Sequence, residues 1–260
     1  MRFGICTILE NAAAVKASGW DYLEESVQGL LQGLAPDAQW QGAQKAATSP
    51  LPVPAGNMLV PASLKITGPN ADPDRLRQYI AKVVERAEDV GMKTLVFGSG
   101  GARQVPEGFD RDRATQQIIE FARTAAEIAW RRGVIVVIEP LNRQECNIIN
   151  TVAEAIQYVR EVGHPGLACL LDSYHSWIEA EPLNEIEPAV RWIKHVHVAD
   201  KQGRVPPGES GTADYRPLFR ILKAGGYDSL ISVEANFPEP DIRAKGAKVL
   251  DFLKRQWQEA

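Results

Sequence analysis

Short apolar runs alternate with longer helical segments along most of the chain. From residue 90 onward, five short runs predict strands, at Thr94–Gly98, Val134–Ile138, Leu167–Leu171, His195–Ala199 and Leu230–Val233. Val134–Ile138 and Leu167–Leu171 are apolar throughout, which is typical of strands that are buried on both faces. The segments between and after the five runs have helical spacing or helix-capping signals, at Arg111–Arg132, Thr151–Val162, Glu185–Trp192, Asp214–Ala224 and Glu239–Trp257. Regular alternation of this kind is typical of parallel strands joined by right-handed helical crossovers.

The first third of the chain has a weaker pattern. We expect strands at Phe3–Ile8, Tyr22–Glu25 and Leu59–Ile66, followed by a helix at Asp72–Val90. The intervening stretch Gln32–Asn57 is rich in Pro, Gly, Ala and Gln, which favours a long loop with a helical piece. Long loops inside compact folds are often functional, so this segment is a candidate lid.

Eight strands and about eight helices in 260 residues fit a closed (β/α)8 TIM barrel. An open, doubly wound sheet is the alternative architecture. Because no linker-like segment divides the chain, we expect a single domain over residues 1–260.

Charge and cysteine content narrow the class of protein. With 29 basic and 33 acidic residues, the net charge of −4 disfavours binding to nucleic acid or to a lipid surface. The three cysteines are widely spaced and form no CxxC pair, which argues against a disulfide framework and favours a reducing, cytoplasmic location. No apolar run approaches the length of about 18 residues that a membrane span requires.

Four acidic or imidazole groups follow or end successive predicted strands. They are Glu139, Asp172, His197 and Glu234, and the carboxyl ends of the strands are where parallel barrels place their active sites. Three carboxylates in one partly buried site cannot all stay ionised without a compensating charge. Oxygen ligands with one imidazole suit one divalent ion such as Mn²⁺, Mg²⁺ or Co²⁺. The competing interpretation of each acid alone is a helix cap or turn former.

Other residues near these strand ends have two interpretations each. His195 lies two residues before His197 on the same strand face, either in the core or supporting a metal ligand. His175 is either a donor to a substrate oxygen or a capping histidine. The run Gly98–Arg103 (GSGGAR) is only a weak phosphate-loop signal, because it lacks the GK[ST] ending. Arg103 within it is a candidate anchor for an anionic substrate.

Four ordered segments resemble the xylose-isomerase-like barrels, most closely the ketose 3-epimerases and the sugar isomerases similar to hydroxypyruvate isomerase. The segments are Ile138–Glu145 (IEPLNRQE), Leu171–His175 (LDSYH), His195–Gly208 (HVHVADKQGRVPPG) and Ser232–Phe237 (SVEANF). The resemblance implies a divalent metal held by Glu139, Asp172, His197 and Glu234. It also implies acid–base catalysis by Glu139 and Glu234, and substrate contacts from Glu145, His175 and Arg204.

The function expected from these residues is proton transfer next to a carbonyl through an enediolate, by a metal-dependent sugar isomerase or epimerase. A dehydratase or lyase acting on a keto-polyol could use the same metal site. A DNA hydrolase resembling the AP endonucleases fits less well, because those enzymes hold three metals with additional histidines and this chain has four His in total. A non-catalytic sugar-binding subunit would require the loss of a ligand. The expected partners are a small sugar or keto-polyol and, by analogy with similar barrels, further copies in a homodimer or homotetramer.

Overall fold

The computed structural model describes residues 1–260, except for the side chain of Glu239. The eight strands are β1 (Arg2–Cys6), β2 (Tyr22–Ser26), β3 (Ala55–Asn57), β4 (Thr94–Phe97), β5 (Ile135–Ile138), β6 (Leu167–Asp172), β7 (Ile193–Val198) and β8 (Leu230–Val233). The α-helices are α1 (Ala12–Ala17), α2 (Val27–Leu30), α3 (Gly42–Thr48), α4 (Pro73–Val90), α5 (Gly100–Arg103), α6 (Arg111–Trp130), α7 (Val152–Val162), α8 (Ser173–Ile178), α9 (Leu183–Ile186), α10 (Arg216–Ala224) and α11 (Glu239–Glu259). Short 3₁₀ helices occupy Leu9–Asn11, Asp37–Gln39 and Glu187–Trp192.

All eight strands are parallel and pair in chain order, and β8 pairs with β1 to close the barrel. The predicted (β/α)8 fold is therefore confirmed, and the alternative of an open sheet is wrong. None of the helices in the described part of the chain combines the length and the apolar character that a bilayer crossing requires.

Two apolar layers stabilise the barrel. Val96, Val137, Ala168 and Leu170 fill its lower interior, and a much larger cluster packs the strands against the surrounding helices. Above the small inner cluster, the interior becomes polar toward the carboxyl ends of the strands. This change in character places the buried polar groups at the end of the barrel where active sites of this fold lie.

The third strand differs from its prediction. It occupies Ala55–Asn57, and Leu59–Ile66 forms a turn-rich segment instead of a strand. Pro61 has no N–H group for a ladder hydrogen bond, which disfavours a central strand there. The backbone N–H of Leu59 still bonds to the carbonyl of Val96, and the apolar side chains that suggested a strand are buried in the main core.

The segment Gln32–Asn57 is more ordered than the predicted long loop. It contains the helix α3, which packs against α4, and it ends in β3. The buried guanidinium of Arg86 holds the start of this segment, since it donates to the carbonyls of Gln32 and Ala35 and to the carboxylate of Asp37. Most of the segment therefore belongs to the outer layer of the barrel.

Candidate active site

The four strand-end groups meet at one point. One donor atom from each of Glu139, Asp172, His197 and Glu234 lies within 4.8 Å of the others. Nδ1 of His197 is 3.1 Å from Oε1 of Glu139 and 3.6 Å from Oε2 of Glu234. The first three side chains are buried, whereas that of Glu234 is 20% exposed and so faces the barrel mouth.

Strand register and a glycine explain this convergence. Asp172 pairs with His197 in the ladder between β6 and β7, so the two side chains enter the interior at the same height. Glu139 directly follows β5, next to Gly98, which directly follows β4. A Cβ atom at Gly98 would lie 2.2 Å from Oε2 of Glu139. The glycine therefore provides the space that the Glu139 carboxylate occupies.

Asp172 combines a capping role with an inward-facing donor. Its Oδ1 accepts from the backbone N–H groups of Tyr174 and His175 and thereby caps α8. Its Oδ2 is buried and, within the described residues, has no hydrogen-bond partner. A buried carboxylate oxygen without a donor is costly unless a cation approaches it. Helix capping therefore accounts for the position of Oδ1 but not for the buried, unpartnered Oδ2.

The electrostatics of the cluster also fit a cation. Burial and the negative charge of Glu234 raise the pKa of Glu139 above its ordinary value. Burial also opposes ionisation of Glu234, but the charges of His197 and Arg204 outweigh it and lower the pKa of Glu234 to about 2. Burial disfavours the charged form of His197, yet the charges of Glu24 and Glu234 raise its pKa well above the usual range. The negative charges of the carboxylates thus favour a positive charge at the centre of the cluster. A divalent ion with oxygen and imidazole ligands would fit there.

Arg204 reaches the cluster from the loop after β7. Its Nη2 donates to Oε2 of Glu234 at 2.5 Å and lies 3.8 Å from Oδ2 of Asp172. Its Nη1 is 3.4 Å from Oε1 of Glu145, and its guanidinium lies over the ring of Tyr174. The charge compensation at the strand ends therefore comes partly from a loop arginine.

The contacts of His175 fix its tautomer. The backbone N–H of Asn142 points at Nδ1 of His175 over 3.2 Å, and its side-chain amide nitrogen is 2.9 Å away. Because these groups donate, Nδ1 accepts and the neutral ring carries its proton on Nε2. Nε2 is buried, lies 3.7 Å from Oδ2 of Asp172 and has no hydrogen-bond partner among the described residues. His175 therefore presents an N–H donor to the site.

The structure brings two further residues to the site that the sequence pattern did not reveal. Nδ2 of Asn57, at the end of β3, donates to Oε1 of Glu234 at 3.2 Å. Glu24 of β2 is fully buried and contacts both His195 and His197. The one signal for Glu24 was an acidic residue within the predicted strand Tyr22–Glu25. Asn57 lay outside the third strand as it was predicted.

Arg103 does not point into the site. Its side chain is completely buried and donates to the backbone carbonyls of Phe97, Glu139 and Ile149. The interpretation of Arg103 as an anchor for an anionic substrate is therefore wrong, since the guanidinium is already engaged in holding the loops after β4 and β5 together.

Together, the closed parallel barrel and the polar cluster at its carboxyl end define the class of protein. The model of the xylose isomerase-like TIM barrel family matches residues 12–256, and the chain belongs to this family. The predicted family resemblance is confirmed.

Individual relatives of the chain are sugar epimerases. It is 31% identical over 173 residues to the 3-dehydro-D-guloside 4-epimerase of Escherichia coli (strain K12), covering 63% of this chain and 64% of that protein. It is 29% identical over 133 residues to the ketose 3-epimerase of Arthrobacter globiformis, covering 51% and 45%. The matches thus span less than two thirds of these relatives, and the isomerase class predicted for this chain is the class of both.

A solved structure shows the same fold over the whole chain. The apo form of the 3-keto-D-glucoside 4-epimerase from E. coli superposes with a TM-score of 0.81 at 24% identity, covering 98% of this chain and 99% of that one. This likeness concerns the barrel architecture.

Proposed function

We propose that this protein is a divalent-metal-dependent sugar epimerase or isomerase that moves a proton on the carbon next to a carbonyl. The observation that carries the proposal is the convergence of Glu139, Asp172, His197 and Glu234 on one point of the barrel mouth. The unpartnered Oδ2 of Asp172, described above, supports a cation at this point. When bound, a divalent ion would act as a Lewis acid that stabilises the enediolate form of the substrate.

The two glutamates are suited to different halves of the proton transfer. The environment lowers the pKa of Glu234 and raises that of Glu139, and such divergence is typical of a base and its acid partner. Glu234, ionised and facing the mouth, would remove the proton from the carbon next to the carbonyl. Glu139, held deeper beside Gly98, would return a proton. Return to the opposite face of the same carbon gives an epimer, and return to the neighbouring carbon gives an aldose–ketose isomer.

Three side chains would hold the substrate. His175 would donate its Nε2–H to a substrate oxygen, because the contacts with Asn142 fix that tautomer. Arg204 would stabilise negative charge that develops on a substrate oxygen. Glu145, whose side chain is 41% exposed beside Arg204, would accept from a substrate hydroxyl. This donor set suits a small polyhydroxylated sugar or keto-polyol. The homodimer or homotetramer expected from the sequence stays a prediction.

The test combines metal analysis with solvent exchange. The purified chain should bind about one Mn²⁺, Mg²⁺ or Co²⁺ ion, and a chelator should abolish its activity. Ketoses, hydroxypyruvate and inososes are incubated with it in deuterated water, and deuterium incorporation next to the carbonyl is followed by NMR. Glu234→Gln should stop incorporation, whereas the exposed control Glu107→Gln should not. Absence of exchange and conversion across the panel would refute the proposal.

The same measurement separates the competing reaction. A dehydratase that acts on a keto-polyol would also exchange the proton next to the carbonyl, but it would release water and form a product one water lighter. Mass spectrometry of the product therefore distinguishes elimination from isomerisation.

A further inference from the structure

A buried polar layer lies directly beneath the proposed cation site. Oε1 of Glu24 is 2.9 Å from Nε2 of His197, and Oε2 of Glu24 is 2.7 Å from Nε2 of His195. Oγ of Ser232 is 2.6 Å from Oε2 of Glu24 and 2.8 Å from the hydroxyl of Tyr22. All five side chains are completely buried.

The directions of these hydrogen bonds follow from the chemistry of the groups. Glu24 is the acidic member of this layer, and its two oxygens face two imidazole nitrogens and one hydroxyl group. Carboxylate oxygens accept hydrogen bonds, so in this geometry both imidazoles donate from Nε2 and Ser232 donates from Oγ. The hydroxyl of Tyr22 then donates to Ser232. Three donors converge on Glu24 and leave its carboxylate little freedom to move.

This arrangement determines which nitrogen of His197 faces the site. When Nε2 carries a proton that is held by Glu24, the lone pair of the neutral ring is on Nδ1. Nδ1 is the atom that lies 3.1 Å from Glu139 and 3.6 Å from Glu234. Without the acceptor on Glu24, the ring could rotate or carry its proton on Nδ1, and neither form offers a lone pair to a cation.

We propose that Glu24 is a positioning residue that locks the tautomer and the orientation of His197, so that Nδ1 serves as a metal ligand. The inference rests on the proposed function, because it requires a cation at the four-residue cluster. Carboxylates that orient a ligating histidine typically affect metal affinity by 10- to 100-fold when they are removed. Glu24 contacts neither the substrate nor the ion, since its two oxygens are occupied by the three donors.

The neighbouring residue of β2 offers a matched control. Glu25 also carries a buried carboxyl group, and its Oε2 accepts from the backbone N–H of Leu9 at 2.6 Å. Successive side chains of a strand point to opposite faces, so Glu25 faces away from the metal cluster. Replacing Glu25 removes a buried acceptor from the same strand without removing a partner of His197.

The experiment measures Mn²⁺ binding to the chelator-treated, full-length protein by titration calorimetry. Glu24→Met should raise the dissociation constant by about 10- to 100-fold, while Glu25→Met leaves it within twofold of wild type. Circular dichroism establishes that each variant is folded. A Glu24→Met protein that is folded and binds Mn²⁺ as wild type does would overturn the inference.

If Glu24→Met does not fold, the more conservative variant Glu24→Gln tests the positioning role instead. Glu24→Gln should bind Mn²⁺ several-fold more weakly, because an amide oxygen is a weaker acceptor than a carboxylate and cannot serve three donors. With ¹⁵N-labelled histidine, the Nε2–H resonance of His197 in the Mg²⁺-saturated protein should move in Glu24→Gln and stay in place in Glu25→Gln. The chain has only four histidines, which simplifies assignment. Unchanged affinity together with an unmoved resonance would overturn the inference.

Failure of the two proposals can be told apart. A wild-type protein that binds no Mn²⁺ or other divalent ion would refute the proposed function and this inference together. A wild-type protein that binds one ion, with variants at Glu24 that bind equally well, would refute the positioning role alone.

Discussion

The guanidinium of Arg204 donates from Nη2 to Oε2 of Glu234 at 2.5 Å, so a loop cation directly holds the carboxylate that we propose as the base. Asn57 donates to the other oxygen of the same carboxylate. Glu234 is thus bound on both oxygens by residues that come from different parts of the barrel. The charge of His197, together with this contact, keeps Glu234 ionised although partial burial opposes its charge.

Replacing Arg204 by Gln should shift the acid limb of the pH profile of kcat/KM. Loss of the positive charge raises the pKa of Glu234, so the carboxylate becomes protonated, and inactive as a base, at a higher pH. The limb should move upward by about one unit or more, and KM should rise because a substrate contact is lost. Arg204→Lys retains the charge and should keep the limb near its wild-type position. An unmoved limb in Arg204→Gln would show that Arg204 does not control Glu234.

The fold and the main donor cluster could be predicted from the sequence because both depend on local pattern. Short apolar runs mark most of the strands, and Glu139 and Glu234 each directly follow such a run. The network around Glu24 could not be predicted in this way. Its partners His195 and His197 are more than 170 residues away along the chain. The hydrogen bonds between them form only when the barrel closes and brings β2 and β7 to the same depth.

The error at the third strand has a similar cause. β3 has only three residues, Ala55–Asn57, so it shows no apolar periodicity of its own. The apolar run at Leu59–Ile66 was more conspicuous, but its side chains are buried by packing outside the sheet. Consequently, Asn57 was assigned to a loop, and its contact with Glu234 could not be anticipated.

Gly98→Ala should impair the site with little effect on stability. The new methyl group would lie 2.2 Å from Oε2 of Glu139, and the flexible end of that side chain would have to move away. The free energy of unfolding should therefore change by less than about 1 kcal/mol, while Mn²⁺ affinity should fall by about tenfold or more. Gly29→Ala is the control, because its Cβ would meet its nearest neighbour at 3.5 Å, an ordinary contact. Denaturant titration and calorimetry measure the two quantities. Unchanged Mn²⁺ affinity in Gly98→Ala would contradict the account of Gly98 as space for a ligand.

Arg103→Met should destabilise the fold, and it should not weaken the binding of anionic substrates in particular. Three backbone carbonyls lose a charged donor in a completely buried position. We expect the free energy of unfolding to fall by roughly 3 kcal/mol, as measured by denaturant titration. Arg132→Met, which removes an exposed ion pair with Glu88, should cost less than about 1 kcal/mol. If Arg103→Met kept its stability and raised KM for anionic substrates alone, the structural role of Arg103 would be wrong.

Stability should decrease as the pH rises from 5 to 8, because two buried carboxyl groups prefer their protonated form. Burial raises the pKa of Glu25 and that of Glu181 from 4.5 to about 7. Between pH 4.5 and about 7, the folded protein binds more protons than the unfolded chain. The free energy of unfolding therefore declines as the pH rises through this range. The loss should lower the unfolding temperature by a few degrees.

The double variant Glu25→Gln, Glu181→Gln keeps an acceptor for the backbone N–H groups of Leu9 and Val152 but cannot ionise. Its unfolding temperature should decline less over the same range, whereas the exposed Glu107→Gln should behave as wild type. Equal slopes for the wild-type protein and the double variant would show that neither carboxyl group is protonated in the folded state at pH 6.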